Sequence, residues 1–295
     1  MPTLRTMGSA LYATAADGSR IAYRVQGHGP AVVFTNGFTT SSFYWRDLLA
    51  ALDGRARLIT WDLKGHGASG PGLSAAGATI EGCADDLRRV MDAAEVEQVT
   101  LVGFSVGCQI ILEAWRHFPA RIRGLIPILG ACGHPFDGLI HPRVGPMMSR
   151  TLGVIRPGIA RAGLWVGARA TRLPGVHRLN QRLGVVGREV ARETMQAFYD
   201  HMDDIDAATW LALGRSAGAH SAADVLTQID VPALVITGGR DLFTPASAGK
   251  RMARDISGCE HVHLPNATHT GLFDESSSIC DAVTGFLSRN GLIRI

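Results

Sequence analysis

The sequence predicts an α/β protein: a mostly parallel sheet with helices on both faces. Short β-branched runs bounded by glycine alternate with amphipathic helical stretches, as buried parallel strands and their crossovers do. The chain has 295 residues, 46% of them hydrophobic and 19% charged, so it can bury a large core. The segments after successive runs collect serine, aspartate, histidine and glycine, which belong at the carboxyl edge of such a sheet.

The elements follow in chain order. After the Asp17-Gly18 turn, Ser19–Val25 reads as one strand of an N-terminal hairpin. Ala31–Thr35, Ala56–Trp61 and Val99–Phe104 are compact and β-branched. Thr79–Ala94 sets Ile80, Cys83, Leu87, Val90 and Met91 on one helical face. After Ser105, a second helix carries Ile110, Ile111, Ala114, Trp115 and Phe118 and ends near Pro119. Gly124–Leu129, Ala233–Thr237 and His261–Leu264 read as further strands, and Asp281–Leu287 as the closing helix. With the hairpin partner this makes eight strands. From Gly133 to Ile229 no strand is legible, only helical segments punctuated by Pro142, Pro146, Pro157 and Pro174. So long a stretch exceeds any single crossover. The expected organisation is a core of residues 1–132 and 230–295 carrying a helical lid at 133–229.

Charge and cysteines narrow the function. A balance of 29 basic against 26 acidic residues, net +3, argues against a dedicated nucleic-acid binder. All basic residues except Lys64 and Lys250 are arginines, which looks like base composition. Five cysteines, widely spaced and odd in number, suit free thiols rather than a disulfide framework or zinc site. Met1–Val25 has no signal-peptide apolar run and no stretch could span a bilayer, so a soluble cytoplasmic protein is expected. Oligomeric state is left open.

Gly103-Phe104-Ser105-Val106-Gly107 follows a strand and opens a helix, the context a nucleophile elbow requires. The glycines let backbone segments close on a sharply turned serine, and the helix start offers free amides beside a developing oxyanion. Asp241, in Gly238-Gly239-Arg240-Asp241, ends one later strand; His269 follows another. Ser105, Asp241 and His269 therefore converge at one sheet edge as nucleophile, orienting acid and general base. Asn36-Gly37-Phe38 supplies a loop at the same edge, and the Phe38 and Val106 amides would form an oxyanion hole. Asp137 is a rival for the acid, in a weaker context. His261 and His263 share a strand face but lack a nearby third metal ligand, so they read as solvated.

These motifs resemble the α/β-hydrolase fold family, specifically a serine esterase or lipase-like member with a helical lid. Trp61-Asp62-Leu63-Lys64-Gly65-His66-Gly67-Ala68-Ser69 is similar to the family's structural turn, so Asp62 and His66 stay outside the catalytic set. The Gly238–Pro245 run is similar to its acid loop. Asn36 departs from the pattern, standing where relatives carry histidine; Cys108 follows Gly107 as a small packing residue. The resemblance implies hydrolysis of carboxylic esters or lactones of mainly apolar acids through an acyl-enzyme on Ser105, with no metal or organic cofactor. It leaves open a cofactor-free perhydrolase, an acyltransferase, a carbon–carbon bond hydrolase, or a receptor-like binder with weak turnover. Phe104, Trp165 and Phe243, with Phe38, are candidates for the acyl pocket. From Arg143 to Arg192 there are ten arginines and one acid, Glu189, interleaved with apolar residues including Met147, Met148, Leu152 and Trp165. Either these are solvated on an amphipathic lid, or they meet an anionic interface or acidic substrate.

Overall fold

The computed structural model describes residues 8–74, 77–135, 151, 154–173 and 175–294. Asp137, Pro142, Arg143, Pro146, Met147, Met148, Arg150, Leu152 and Pro174 lie outside the described residues. Eight strands form one sheet: β1 (Leu11–Thr14), β2 (Arg20–Gln26), β3 (Ala31–Thr35), β4 (Arg57–Trp61), β5 (Val99–Phe104), β6 (Ile122–Ile128), β7 (Leu234–Gly238) and β8 (Glu260–Leu264). Their spatial order is β1-β2-β4-β3-β5-β6-β7-β8. Pairings of β2 with β1 and β4 are antiparallel and every other pairing is parallel.

The two-residue period of the strands sorts the core into two layers. On β3, Val33 joins Leu101 of β5 on one face, with Ile80, Leu87 and Ile110 of the helices α2 (Ile80–Ala93) and α3 (Val106–His117). Val32 and Phe34 join Val102 and Phe104 on the other, against Leu48 of α1 (Arg46–Ala51) and Val283 and Phe286 of the closing helix Ser276–Arg289. β3 and β5 are buried along their whole length, which is why they read as continuous apolar runs.

Three described helices of the core had no legible signal, the shortest being the four-residue Gly271–Asp274. α1 spans six residues after a 3-10 turn, too few for a period to declare itself. Ala246–Asp255, which packs beside β7, buries only Ala248, Gly249 and Met252, so its apolar stripe holds a single large side chain. The strand expected at Gly124–Leu129 starts at Ile122 and stops at Ile128, because Leu129 takes a left-handed backbone with φ of 48°.

Between β6 and β7 the described residues form α4 (Pro157–Arg172), α5 (Val176–Arg182), α6 (Arg192–His201) and α7 (Ala207–Ala219), with no strand. α6 meets the core at a pair of buried imidazoles. His201 lies 5.8 Å, ring to ring, from His66 of the turn after β4. His66 Nδ1 donates to the Lys64 carbonyl at 2.8 Å, while Nε2 of each ring has no hydrogen-bond partner among the described residues. Burial, and then the neighbouring His66, push His201 down to about 4; burial also lowers His66. The unfolded chain therefore takes up a proton first as pH falls, and stability drains from about pH 6.5 toward pH 4. We expect urea unfolding to show a loss of roughly 2 kcal/mol between about pH 7 and about pH 5 from His201 alone. His201→Gln should remove most of that slope; an unchanged slope would refute the assignment.

Candidate active site

The elbow is built by close backbone approach. Ser105 sits at φ 54°, ψ −120°, a strained conformation for a residue with a side chain. It persists because the strand and helix on either side leave it no alternative. A Cβ on Gly107 would fall 2.3 Å from the Thr35 carbonyl oxygen, and one on Gly103 would fall 2.5 Å from the Gly107 oxygen. α3 can start against the end of β3 only with glycine at both positions. Val106 is its first residue, so its N–H has no intrahelical acceptor.

Three loops deliver three side chains to this point. His269 Nε2 lies 3.0 Å from Ser105 Oγ. His269 Nδ1 lies 3.0 and 2.9 Å from the two Asp241 carboxylate oxygens. Nδ1 next to a carboxylate carries the proton, which leaves Nε2 to accept from the serine hydroxyl. Asp241 is itself held: the amides of Phe243 and Thr244 donate to Oδ1 at 2.8 and 2.9 Å, and Thr244 Oγ1 is 2.7 Å from Oδ2. The Asp241 side chain is fully buried, whereas His269 keeps 18% exposure. The rings of Phe104 and Phe243 lie 5.1 and 5.0 Å from the imidazole.

The loop beginning at Asn36 is anchored by that residue's own side chain. Asn36 is fully buried; its Nδ2 donates to the Trp61 carbonyl at 2.6 Å and its Oδ1 accepts from Trp45 Nε1 at 2.7 Å. Both halves of the amide are used, so the loop leaves β3 in a fixed direction. A Cβ on Gly37 would lie 3.0 Å from Ser105 Cβ, which shows how tightly the loop passes the serine. Phe38 then stacks on Trp210 of α7 with centroids 4.8 Å apart, and Trp210 Nε1 donates to Thr39 Oγ1 at 3.0 Å.

A cavity of about 440 Å³ opens onto Ser105 and His269. Core loops contribute Phe38, Tyr44, Phe104 and Phe243; the helical stretch adds Leu164, Val185, Val186, Met195, Phe198, Met202 and Trp210. No lysine, arginine, aspartate or glutamate is among the described lining residues. Of the four aromatic pocket candidates, the structure gathers Phe38, Phe104 and Phe243 here and leaves Trp165 out. α4 buries Ala160, Leu164, Ala168 and Thr171, and Trp165, one residue beyond Leu164, is rotated off that face. It is 53% exposed, lies under the Arg169 guanidinium 3.8 Å away, and lines a separate surface cleft.

Other candidates resolve by their contacts. His261 Nε2 and His263 Nδ1 lie 2.9 and 3.0 Å from Thr237 Oγ1, both rings exposed. Cys108 Sγ donates to the Gly103 carbonyl at 3.2 Å, and burial pushes its thiol up, away from nucleophilic use. Sequence reasoning missed Thr244 and Trp210. A threonine three residues after an aspartate is a turn signal that could have singled out Thr244. Trp210 has no such signal, since only the packing of α7 brings it to Phe38.

The model of the α/β-hydrolase fold family matches residues 30–276. The chain belongs to the α/β-hydrolase fold family. It is 23% identical over 277 residues to 3-oxoadipate enol-lactonase 1 of Acinetobacter baylyi, covering 93% of this chain and 95% of that protein. Among solved structures it resembles an esterase from Exiguobacterium antarcticum, with a TM-score of 0.74 at 19% identity over 95% and 100% of the two chains. The bromoperoxidase from Bacillus anthracis superposes with a TM-score of 0.76 at 20% identity over 95% and 100%. The matched span includes the Gly103–Gly107 turn, the loop that holds Asp241, and Asn36. Asn36→Ala leaves the buried Trp45 N–H and Trp61 carbonyl without partners, so we expect a loss of about 2–4 kcal/mol in urea unfolding. A change within a few tenths of wild type would show that the loop is held by other means.

Proposed function

We propose that the protein is a serine hydrolase that cleaves carboxylic esters or lactones with uncharged, mainly apolar acyl groups. The observation that carries this reading is the unbroken relay from the Asp241 carboxylate through His269 to Ser105 Oγ, at 2.9 and 3.0 Å. Ser105 Oγ attacks the acyl carbon while its proton passes to His269 Nε2. The carbonyl oxygen takes the negative charge beside the Phe38 and Val106 amides, each donor being worth roughly 3–4 kcal/mol in such sites. When the tetrahedral centre collapses, His269 returns that proton to the leaving alcohol. Water then attacks the acyl-serine, again losing its proton to Nε2, and releases the acid. Asp241 keeps the imidazole in the tautomer that can accept at Nε2 and stabilises its charged form.

Substrate class follows from the cavity wall. The name of the Acinetobacter relative denotes a lactone of a dicarboxylic acid, which carries a negative charge. The described lining of this cavity has no cation to meet one, and a buried unpaired carboxylate is costly. Phe198, Met195, Val186 and their neighbours suit a neutral hydrocarbon portion instead. Residues 1–132 and 230–295 act as the catalytic core and 133–229 as the lid whose inner side shapes the cavity. Five cysteines, all unpaired, fit the cytoplasm.

Fluorophosphonate labelling followed by peptide mapping should modify Ser105 alone. Against a panel of p-nitrophenyl esters, Ser105→Ala and His269→Ala should each lose on the order of 10⁴-fold or more in kcat, with little further loss in the double variant. Asp241→Asn should keep the fold and lose on the order of 10³–10⁴-fold. Near-full turnover by Ser105→Ala would overturn the mechanism.

A further inference from the structure

We propose that the exposed side of α4 and α5 docks on an anionic lipid surface, with Ile159, Val166, Leu179 and Leu183 entering the headgroup boundary between arginines. This docking is independent of the hydrolase reading.

The first ground is a helix that is apolar where it should be polar. α4 buries Ala160, Leu164, Ala168 and Thr171, spaced as one face. At about 100° per residue, Ile159, Ala162 and Val166 fall on the opposite side, and all three are exposed. A soluble helix keeps that side polar; a helix apolar on both sides has one side without its partner. Leu179 of α5 and Leu183 just past its end are exposed as well, one turn apart. Ten large apolar residues are exposed among the described residues, and seven fall between Val154 and Leu183, at 51–80%. Such concentration marks an interaction surface, whereas Leu11, Tyr12 and Leu73 are scattered elsewhere.

The second ground is charge. From Val154 to Arg192 there are eight arginines and a single acid, Glu189. Arg169 and Arg172 share Asp203. Arg156, Arg161, Arg178, Arg182 and Arg188 are exposed and have no acidic partner among the described residues. The two kinds of residue alternate: Arg178 precedes Leu179, Arg182 precedes Leu183, and Arg169 covers Trp165. A second copy of the chain is a poor occupant, because a two-fold contact would set these arginines against their own equivalents. Nucleic acid would satisfy the arginines but leave the branched aliphatic side chains without use. A bilayer with anionic headgroups satisfies both, phosphate for guanidinium and acyl chain for Ile, Val and Leu. No described helix is long and apolar enough to cross a membrane, so the contact is peripheral. Leu164 and Thr171, on the inner side of α4, line the cavity at Ser105. Docked in this way, the cavity wall stands against the phase in which apolar esters concentrate.

Co-sedimentation tests this with vesicles of phosphatidylcholine alone and of phosphatidylcholine mixed equally with phosphatidylglycerol. Wild type and Ser105→Ala should both pellet with the mixed vesicles, less as salt rises, and hardly with neutral ones. The double substitution Arg178→Gln/Arg182→Gln should weaken partition roughly 30-fold. Ile159→Asn/Val166→Asn should weaken it several-fold, with far-ultraviolet circular dichroism and urea midpoint confirming that both variants are folded. Equal pelleting with both vesicle types would overturn the proposal, as would none with the anionic vesicles. So would a dimer in analytical ultracentrifugation that Ile159→Asn/Val166→Asn dissolves.

Discussion

The site depends on one steric constraint, the backbone crossing between the end of β3 and the start of α3. Thr35, Gly103 and Gly107 approach so closely that no side chain fits between them, and Ser105 is forced into its strained turn. That strain is held by a fully buried parallel sheet on one side and a buried helix on the other. With the serine fixed, the remaining requirement is that loops from neighbouring strands reach it. Parallel strands make this cheap, because their carboxyl ends lie at one edge. Asp241 leaves β7 and His269 leaves β8, each pinned by local hydrogen bonds, and Asn36 leaves β3 with its amide spanned between Trp45 and Trp61.

What the sequence made legible and what it did not divide along the same physical line. Ser105, Asp241 and His269 could be read because the loops holding them carry glycines and turn residues at fixed offsets from apolar runs. Convergence followed from the rule that loops after parallel strands gather at one edge, whereas the strand order had no signal in the sequence. The cavity was far less legible. Phe104 and Phe243 adjoin the catalytic loops in sequence and were found with them, whereas Val186, Met195 and Phe198 reach the site only through helix packing. Trp165 shows the limit well. Its size and position among apolar residues suggested a pocket wall, but an α-helix turns it off the buried face in a single residue step.

α4 has two unlike sides. Its inner side closes the cavity over the triad, and its outer side presents aliphatic residues and arginine to the exterior. The helical stretch is tied to the loops around Ser105 and His269 by specific contacts. The Gly187 amide donates to Thr270 Oγ1 at 2.9 Å, next to His269, and Trp210 rests on Phe38 beside Ser105. These ties hold a cavity wall that shares almost no sequence with the loops it covers.

That separation bears on how such a protein can diverge. The elbow, the acid loop and the Asn36 anchor tolerate few alternatives, because each is fixed by contacts under 3 Å or by backbone crowding. Val185, Val186, Met195 and Met202 are held by apolar packing alone, where a different side chain of similar bulk serves as well. A lineage can therefore rewrite its diet through drift in the inserted helices while inheriting its chemistry intact. Relatives sharing under a quarter of their residues can keep one fold and bear names as unlike as lactonase, esterase and peroxidase.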